Sequence, residues 1–211
     1  MNTRRLMAHL QPTDDRQRLI DAVAALDAPG ATKLVQHAAG LAHPGEHAAS
    51  IEYRLDVDDE DAIATAAAAL EPLRDLVDPD RSVAMVGTDV DIVAGPATPI
   101  RFAYLMRRRA DFTHEQYLTR YLDGHARFGI ATPGIEGYTQ FHVDLGASAQ
   151  AAARLGLGVS DFDSVSELHL ASLDTFFAAL AESGFGTEAT EDEEKFVDRA
   201  NSWDYVYEVL D

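Results

Sequence analysis

The sequence predicts an α+β chain built from two ferredoxin-like β-α-β-β-α-β halves, and three observations carry that reading. Gly95-Pro96-Ala97-Thr98-Pro99 divides the chain near its middle, because two prolines fix φ and withhold donors while Gly95 permits unusual backbone angles. On either side of this linker the apolar pattern changes period in the same order, alternating for strands and recurring at three-to-four spacing for helices. Short residue echoes stand at matching places in the two halves. The halves are expected near 1–95 and 100–211.

In the first half, Arg4 to Leu10 alternates as a strand. Asp14-Asp15 then cap a helix whose apolar positions are Leu19, Ile20, Val23 and Leu26, and Pro29-Gly30 stops it. Lys33 to His37 and Ser50 to Val57 read as strands. Asp58 to Leu76 reads as an alanine-rich helix carrying Ile63, Leu70, Leu73 and Leu76, and Ser82 to Val93 supplies the last strand.

The second half repeats the order. Ile100 to Met106 is strand-like, and Thr113 opens a helix with Gln116 three residues on, a capping-box pattern. That helix runs through Tyr117, Leu118, Tyr121, Leu122 and His125 to about Phe128. Gly137 to Val143 and Val165 to Leu170 read as strands, and Leu173 to Ala181 as a helix ended near Gly184. A short helix is expected after Thr190, with Glu193 completing a second capping box, and Trp203 to Leu210 closes the half as a strand. Glu52-Tyr53-Arg54-Leu55 stands where the second half has Glu167-Leu168-His169-Leu170, and Lys33 to His37 matches Tyr138 to His142. The shared order of these echoes points to a duplication.

Composition narrows the function classes. The 211 residues are 46% hydrophobic and 25% charged, which is ordinary globular composition and excludes wholesale disorder. A net charge of −19 repels phosphates, so nucleic acid and anionic membrane surfaces are poor partners. The absence of cysteine removes disulfides, thiolate metal sites and a cysteine nucleophile. Met1 to Leu10 is basic at Arg4 and Arg5 without an unbroken apolar stretch, so it does not read as a secretory signal. No uncharged apolar run approaches the roughly 18 residues of a membrane span. A soluble, cytoplasmic protein is expected.

Several motifs of the second half belong together: Phe112-Thr113-His114-Glu115-Gln116-Tyr117 with His125 near the helix end, Phe162-Asp163-Ser164-Val165-Ser166-Glu167-Leu168, Asp192-Glu193 with Phe196 and Asp198, and Tyr205 to Val209. As a set they resemble the EthD family, within the dimeric α+β barrel superfamily, over about residues 100 to 211. The resemblance implies a four-stranded antiparallel sheet with helices on one face. It further implies that two such sheets pair through their open faces around a barrel-like cavity. Most relatives achieve this as homodimers. Here the first half, a more divergent copy, would supply the second sheet, giving an intrachain pseudo-dimer that is a monomer or at most a weak homodimer. Fungal relatives resemble cofactor-free decarboxylases or dehydratases of aromatic polyketides.

Strand alternation then sorts candidate residues. Tyr138, Gln140 and His142 oppose Phe141 and Val143; Val165, Glu167 and His169 oppose Ser166, Leu168 and Leu170. The apolar sets are assigned to the helices and the polar sets to the cavity, the plain alternative being a sheet face in water. His125 shares its helical face with Tyr121 and Leu122, where a histidine is more often a core or capping residue than a catalyst. The resemblance, which puts the family's histidine at this helix end, implies function, with Asp123 as a candidate orienting neighbour. The positions matching Tyr138, Gln140 and His169 in the first half are Lys33, Val35 and Arg54, so one pocket formed chiefly by the second half is expected. His37 and Glu52 could contribute from across it, and Arg54 could hold a substrate carboxylate or phenolate. Tyr104, Tyr138, Trp203, Tyr205 and Tyr207 are candidate pocket walls or core. Gly146 to Ser160 folds either as a short helix over the pocket or as an inert surface insertion.

Other motifs fail on physical grounds. His43-Pro44-Gly45-Glu46-His47 matches H-x-x-E-H by letter, but Pro44-Gly45 turns where the zinc pattern needs a helix. Asp123-Gly124 matches part of a haem peroxidase signature of barrel relatives, with Arg120 where glycine is needed. Gly156-Leu157-Gly158 lacks the rest of a dinucleotide fingerprint. The acidic run Glu188 to Glu194 reads as a solvated helix start. No metal and no cofactor are expected. The leading reading is a cofactor-independent enzyme that decarboxylates, dehydrates or isomerises an aromatic or polyketide-like small molecule by His/Glu acid–base chemistry. His125, His142, His169 and Glu167 would be catalytic, and Arg54, Tyr104, Tyr138, Gln140 and Tyr205 would bind substrate. The alternatives are a non-catalytic small-molecule binding or auxiliary protein and a barrel-type monooxygenase.

Overall fold

In the computed structural model, which describes residues 3–38, 45–55, 60–183 and 187–210, eight antiparallel strands close into a barrel. The first four are β1 (Thr3–Leu10), β2 (Ala31–Ala38), β3 (Ala49–Leu55) and β4 (Val83–Val93). The other four are β5 (Ile100–Met106), β6 (Gly137–Val143), β8 (Ser164–Leu170) and β9 (Trp203–Leu210), with a two-residue strand β7 (Gly158–Val159) parallel to the start of β4. Around the barrel the order is β1-β3-β2-β9-β5-β8-β6-β4, and β4 pairs back to β1. Each half thus contributes a sheet in ferredoxin-like order, β4-β1-β3-β2 and β9-β5-β8-β6. The seams β2–β9 and β4–β6 join them. Closure leaves none of these eight strands as a bare edge.

Helices cover the outside. Over the first sheet lie α1 (Arg16–Ala24), capped by the Asp15 side chain on the Arg18 N–H, and α2 (Glu60–Leu70). The long helix expected to Leu76 gives way to a 3₁₀ turn over Glu71–Leu76, because Pro72 cannot donate to the ladder; the expected start at Asp58 lies outside the described residues. Over the second sheet, α3 (His114–Arg120) begins with the full Thr113/Gln116 capping box. A π turn over Tyr121–His125 passes into α4 (Ala126–Ala131). α6 (Leu173–Ser183) and α7 (Thr187–Glu193) follow; the expected stop at Gly184 lies outside the described residues. Thr190 sits inside α7, so its expected capping box does not form. The 146–160 segment opens as the helix α5 (Leu145–Leu155), and its end at Leu155–Leu157 borders a cavity of about 270 Å³ with Leu10, Leu70 and Val77, none of which was expected in the site. Ala151 and Ala152 pack into the first half's core, and Ser148 accepts from the Val86 N–H of β4. No described helix is long and apolar enough to cross a membrane.

Register corrects one assignment of faces. Tyr138 pairs with Leu168, Gln140 with Ser166, and Thr139 with Glu167, and directly paired residues share a face. Glu167 and His169 therefore point into the barrel, as alternation along β8 suggested. Tyr138, Gln140 and His142 point the other way, under α3 and α4, while Phe141 and Val143 belong to the interior. That interior is apolar towards one end, with Met7, Met85, Leu105, Phe141, Phe162 and Val165 packed together. It is charged towards the other.

Candidate functional site

The expected site residues separate into four places. Tyr104, His125 and Tyr138 line a cleft between the helices and the outer face of the second sheet. Arg54, Glu167 and His169 line a cavity at the charged mouth of the barrel. Gln140 is fully buried, donating to the Tyr138 hydroxyl (2.9 Å) and accepting from His142 (3.0 Å). Those two residues brace the helix layer. Tyr205 lies inside the barrel, donating its hydroxyl to His47 Nδ1 at 2.6 Å. The single pocket expected from sequence is thus two, and both halves build the one in the barrel.

The cleft holds the denser chemistry. The π turn sets Tyr117, Tyr121 and His125 in one ring-stacked line, with successive centroids 6.0 Å apart. Two glycines admit neighbouring side chains close to this helix. A Cβ on Gly124 would lie 2.0 Å from the Arg120 guanidinium, and one on Gly129 would lie 2.0 Å from the Tyr138 ring. Arg120 is thereby free to reach Asp192 at 2.5 Å, and Asp192 accepts from His125 Nδ1 at 3.0 Å. Asp123, proposed from sequence as the partner of His125, does not take that place. Burial pushes the Asp192 carboxyl up, but hydrogen bonds from His125 and Arg120 outweigh it and hold the group below its usual range. Asp192 is therefore an acceptor, and His125 must carry its proton on Nδ1. Burial holds the His125 pKa down despite Asp192, so Nε2 is a free base.

Nε2 faces Glu193 Oε1 at 3.7 Å. Burial raises the Glu193 carboxyl to about 7; Arg199, in direct ion-pair contact, opposes the shift, while Asp204 and Asp192 add to it. Asp192 and Glu193 belong to the motif set but were given no role, because the acidic run around them reads as a solvated helix start; Asp192 is in fact 2% exposed. The Tyr104 hydroxyl is buried with no hydrogen-bond partner among the described residues, and it lines the same cleft. Burial, with Glu193 next, pushes that phenol well up against Arg199 and the nearby Ser202 hydroxyl, which donates to the Asp198 carbonyl and accepts from the Arg107 N–H, so Tyr104 is a donor and not a base. Phe102, Phe128 and Leu168 supply apolar walls around a volume of about 210 Å³.

Inside the barrel, two arginines missed from sequence meet two glutamates. Arg5 reaches Glu52 (2.8 Å), Asp89 (2.7 Å) and Glu167 (2.5 Å). Arg101 reaches Glu52 (2.8 Å) and Glu167 (3.0 Å). Burial would raise the Glu167 carboxyl, but the charges of Arg101 and Arg5 prevail and hold it low. A carboxylate so held is a structural counter-ion and a poor proton carrier. His169 sits beside it, with Nε2 at 3.1 Å from the Thr139 hydroxyl, which donates to Asp91 (3.1 Å). Among the described residues no group of three or more His, Asp or Glu side chains is placed to hold a metal ion. His43 and Pro44 of the H-x-x-E-H match lie outside those residues.

Residues 109–200 match the family model for the EthD domain. No curated protein matches the chain. Among solved structures, the chain is similar to an anthrone oxidase-like protein, at TM-score 0.56 and 13% identity, covering 100% of this chain and 92% of that one. A chlorite dismutase variant from Candidatus Nitrospira defluvii gives TM-score 0.55 at 10% identity, over 99% and 92%. A heme-binding protein from Thermus thermophilus gives TM-score 0.52 at 13% identity, over 100% and 92%. At these identities the likeness is one of fold.

Proposed function

We propose that this chain, which carries an EthD domain over residues 109–200, is a small-molecule enzyme that moves protons on an aromatic substrate held in the helix–sheet cleft. The observation that carries the reading is the unpartnered Tyr104 hydroxyl buried beside the Asp192–His125–Glu193 array. An orphaned buried donor costs about 1–3 kcal/mol, and a substrate oxygen in the cleft would satisfy it. His125, held in one tautomer by Asp192, takes a proton at Nε2. Glu193, titrating near neutrality, returns one. Tyr104 donates to the oxygen on which charge develops. Decarboxylation, dehydration and isomerisation of a hydroxy-aromatic or ketone substrate can each use members of this set without a bound cofactor.

Size limits the substrate. About 210 Å³ is below the roughly 300–1,000 Å³ of ordinary ligand and cofactor sites, which favours one ring over a polycyclic polyketide. A haem fits these residues poorly for the same reason. Proton abstraction by His125 would also begin a cofactor-free oxygenation, the runner-up reading.

The test incubates the protein with monocyclic hydroxy-aromatic acids and ketones, in air and under argon, and follows products by mass spectrometry. Turnover in both atmospheres that falls at least about 100-fold in His125→Ala supports the proposal. Turnover that needs oxygen favours the monooxygenase, and turnover indifferent to His125→Ala and Tyr104→Phe overturns the site.

A further inference from the structure

We propose that the mouth of the barrel is a second ligand site, independent of the cleft, that takes a small aliphatic zwitterion such as an amino acid or a dipeptide. The cavity there has a volume of about 400 Å³, within the ordinary range of small-molecule sites. The Gly95-Pro96-Ala97 linker lies along its wall.

Arg101, 9% exposed, makes its three carboxylate contacts through Nη1 alone. Its Nε is buried without a partner among the described residues, as is the Nε of Arg5. Those Nε atoms are closed off, so a carboxylate in the cavity would meet the Nη2 corner of Arg101, which makes no hydrogen bond among the described residues. Arg54, exposed at the rim, adds a second guanidinium.

Charge decides what else the ligand must carry. Arg5, Arg54 and Arg101 face Glu52, Glu167, Asp89 and Asp91, so the lining holds one more acid than base. A plain anion would enter against that excess, in a chain already at −19. A ligand with its own ammonium would not. Asp91 is exposed, and its hydrogen bond among the described residues comes from the neutral Thr139 hydroxyl, so it can receive the ammonium. Burial raises the Asp89 carboxyl to about 6 against the pull of Arg5, so it too gains from a nearby cation. Val93, Val209, Pro96 and Ala97 provide the aliphatic contacts.

Isothermal titration of the full chain with L-leucine and leucyl-leucine tests this, against 4-methylpentanoate and isopentylamine, which each keep one charge. At least one zwitterion should bind at millimolar concentration, about tenfold more tightly than either single-charge control. Asp91→Asn and Arg54→Gln, both at exposed positions that leave the buried ion cluster intact, should each weaken it by about tenfold. His125→Ala should bind unchanged while losing turnover in the cleft. Failure of both zwitterions, or equal binding of one single-charge control, overturns the proposal. So does binding that disappears with His125, which would place the ligand in the cleft.

Discussion

Tyr104 is the residue on which function and stability part most cleanly. Its hydroxyl is buried and unpartnered, so Tyr104→Phe should leave the urea midpoint unchanged or raise stability by up to about 1 kcal/mol, while lowering turnover. A structural tyrosine would show the reverse. Glu193 gives the matching pH signature. With its carboxyl near 7, the proton-donating form is lost as pH rises through that value. The rate should fall on the alkaline side, and Glu193→Gln should abolish that limb of the profile. Glu167 behaves oppositely. It neutralises Arg5 and Arg101 at 2% exposure, and Glu167→Ala should destabilise by about 3–5 kcal/mol in chemical denaturation, since it leaves buried charge uncompensated. The sequence singled out His125 through the family resemblance and against the plainer reading of a core or capping histidine. Asp192 and Glu193 stood in the motif set but their pairing with His125 was not legible, because it depends on a contact 67 residues apart in the chain and on Arg120, similarly distant from Asp192.

Elements were legible where a local signal fixed them. The Thr113/Gln116 box forms as the spacing requires, and Thr113→Ala should cost about 1 kcal/mol, read as a lower thermal midpoint. The strand β6 misled for a physical reason. Polar–apolar alternation marks faces when one side of a sheet meets water, but both faces of β6 are buried, one in the barrel and one under helices. Gln140 at 0% exposure and Thr139 at 7% lie on opposite faces, so neither parity announces itself. Register to β8, a non-local fact, settles the phase. The same holds for α5, whose helix is readable while its docking on β4 is not.

At the scale of the whole molecule, pseudo-symmetry organises the centre. Arg5 pairs across strands with Arg54, and Arg101 with His169. Glu52 and Glu167 stand two residues before those partners. The charged cluster is thus one Arg–Glu arrangement used twice, which supports the duplication proposed from the short echoes at Glu52 and Glu167. Closure of the barrel also buries histidines. Burial lowers His47 from 6.5 to about 4, and His9 well below its usual value. Between pH 6.5 and 4 the unfolded chain binds protons at these positions that the folded chain does not, so stability is full above about 6.5 and falls with pH below it. His47 alone should account for about 3 kcal/mol of that fall, and His47→Gln should flatten the dependence of the thermal midpoint on pH.

The seams give the sharpest test of the architecture. Residues 97–211 expressed alone would keep one four-stranded sheet with its helices but lose the partners of β9 and β6, namely β2 and β4. Its inner face, carrying Ala103, Phe141, Val165, Tyr205 and Tyr207, would meet water, with Arg101 and Glu167 deprived of Glu52 and Arg5. Unpaired edges and an apolar face of that kind drive association. The fragment should therefore elute in size-exclusion chromatography as a dimer or larger species, whereas the full chain, whose pairing is internal, should elute as a monomer. A folded, monomeric fragment would show that the two sheets do not depend on each other.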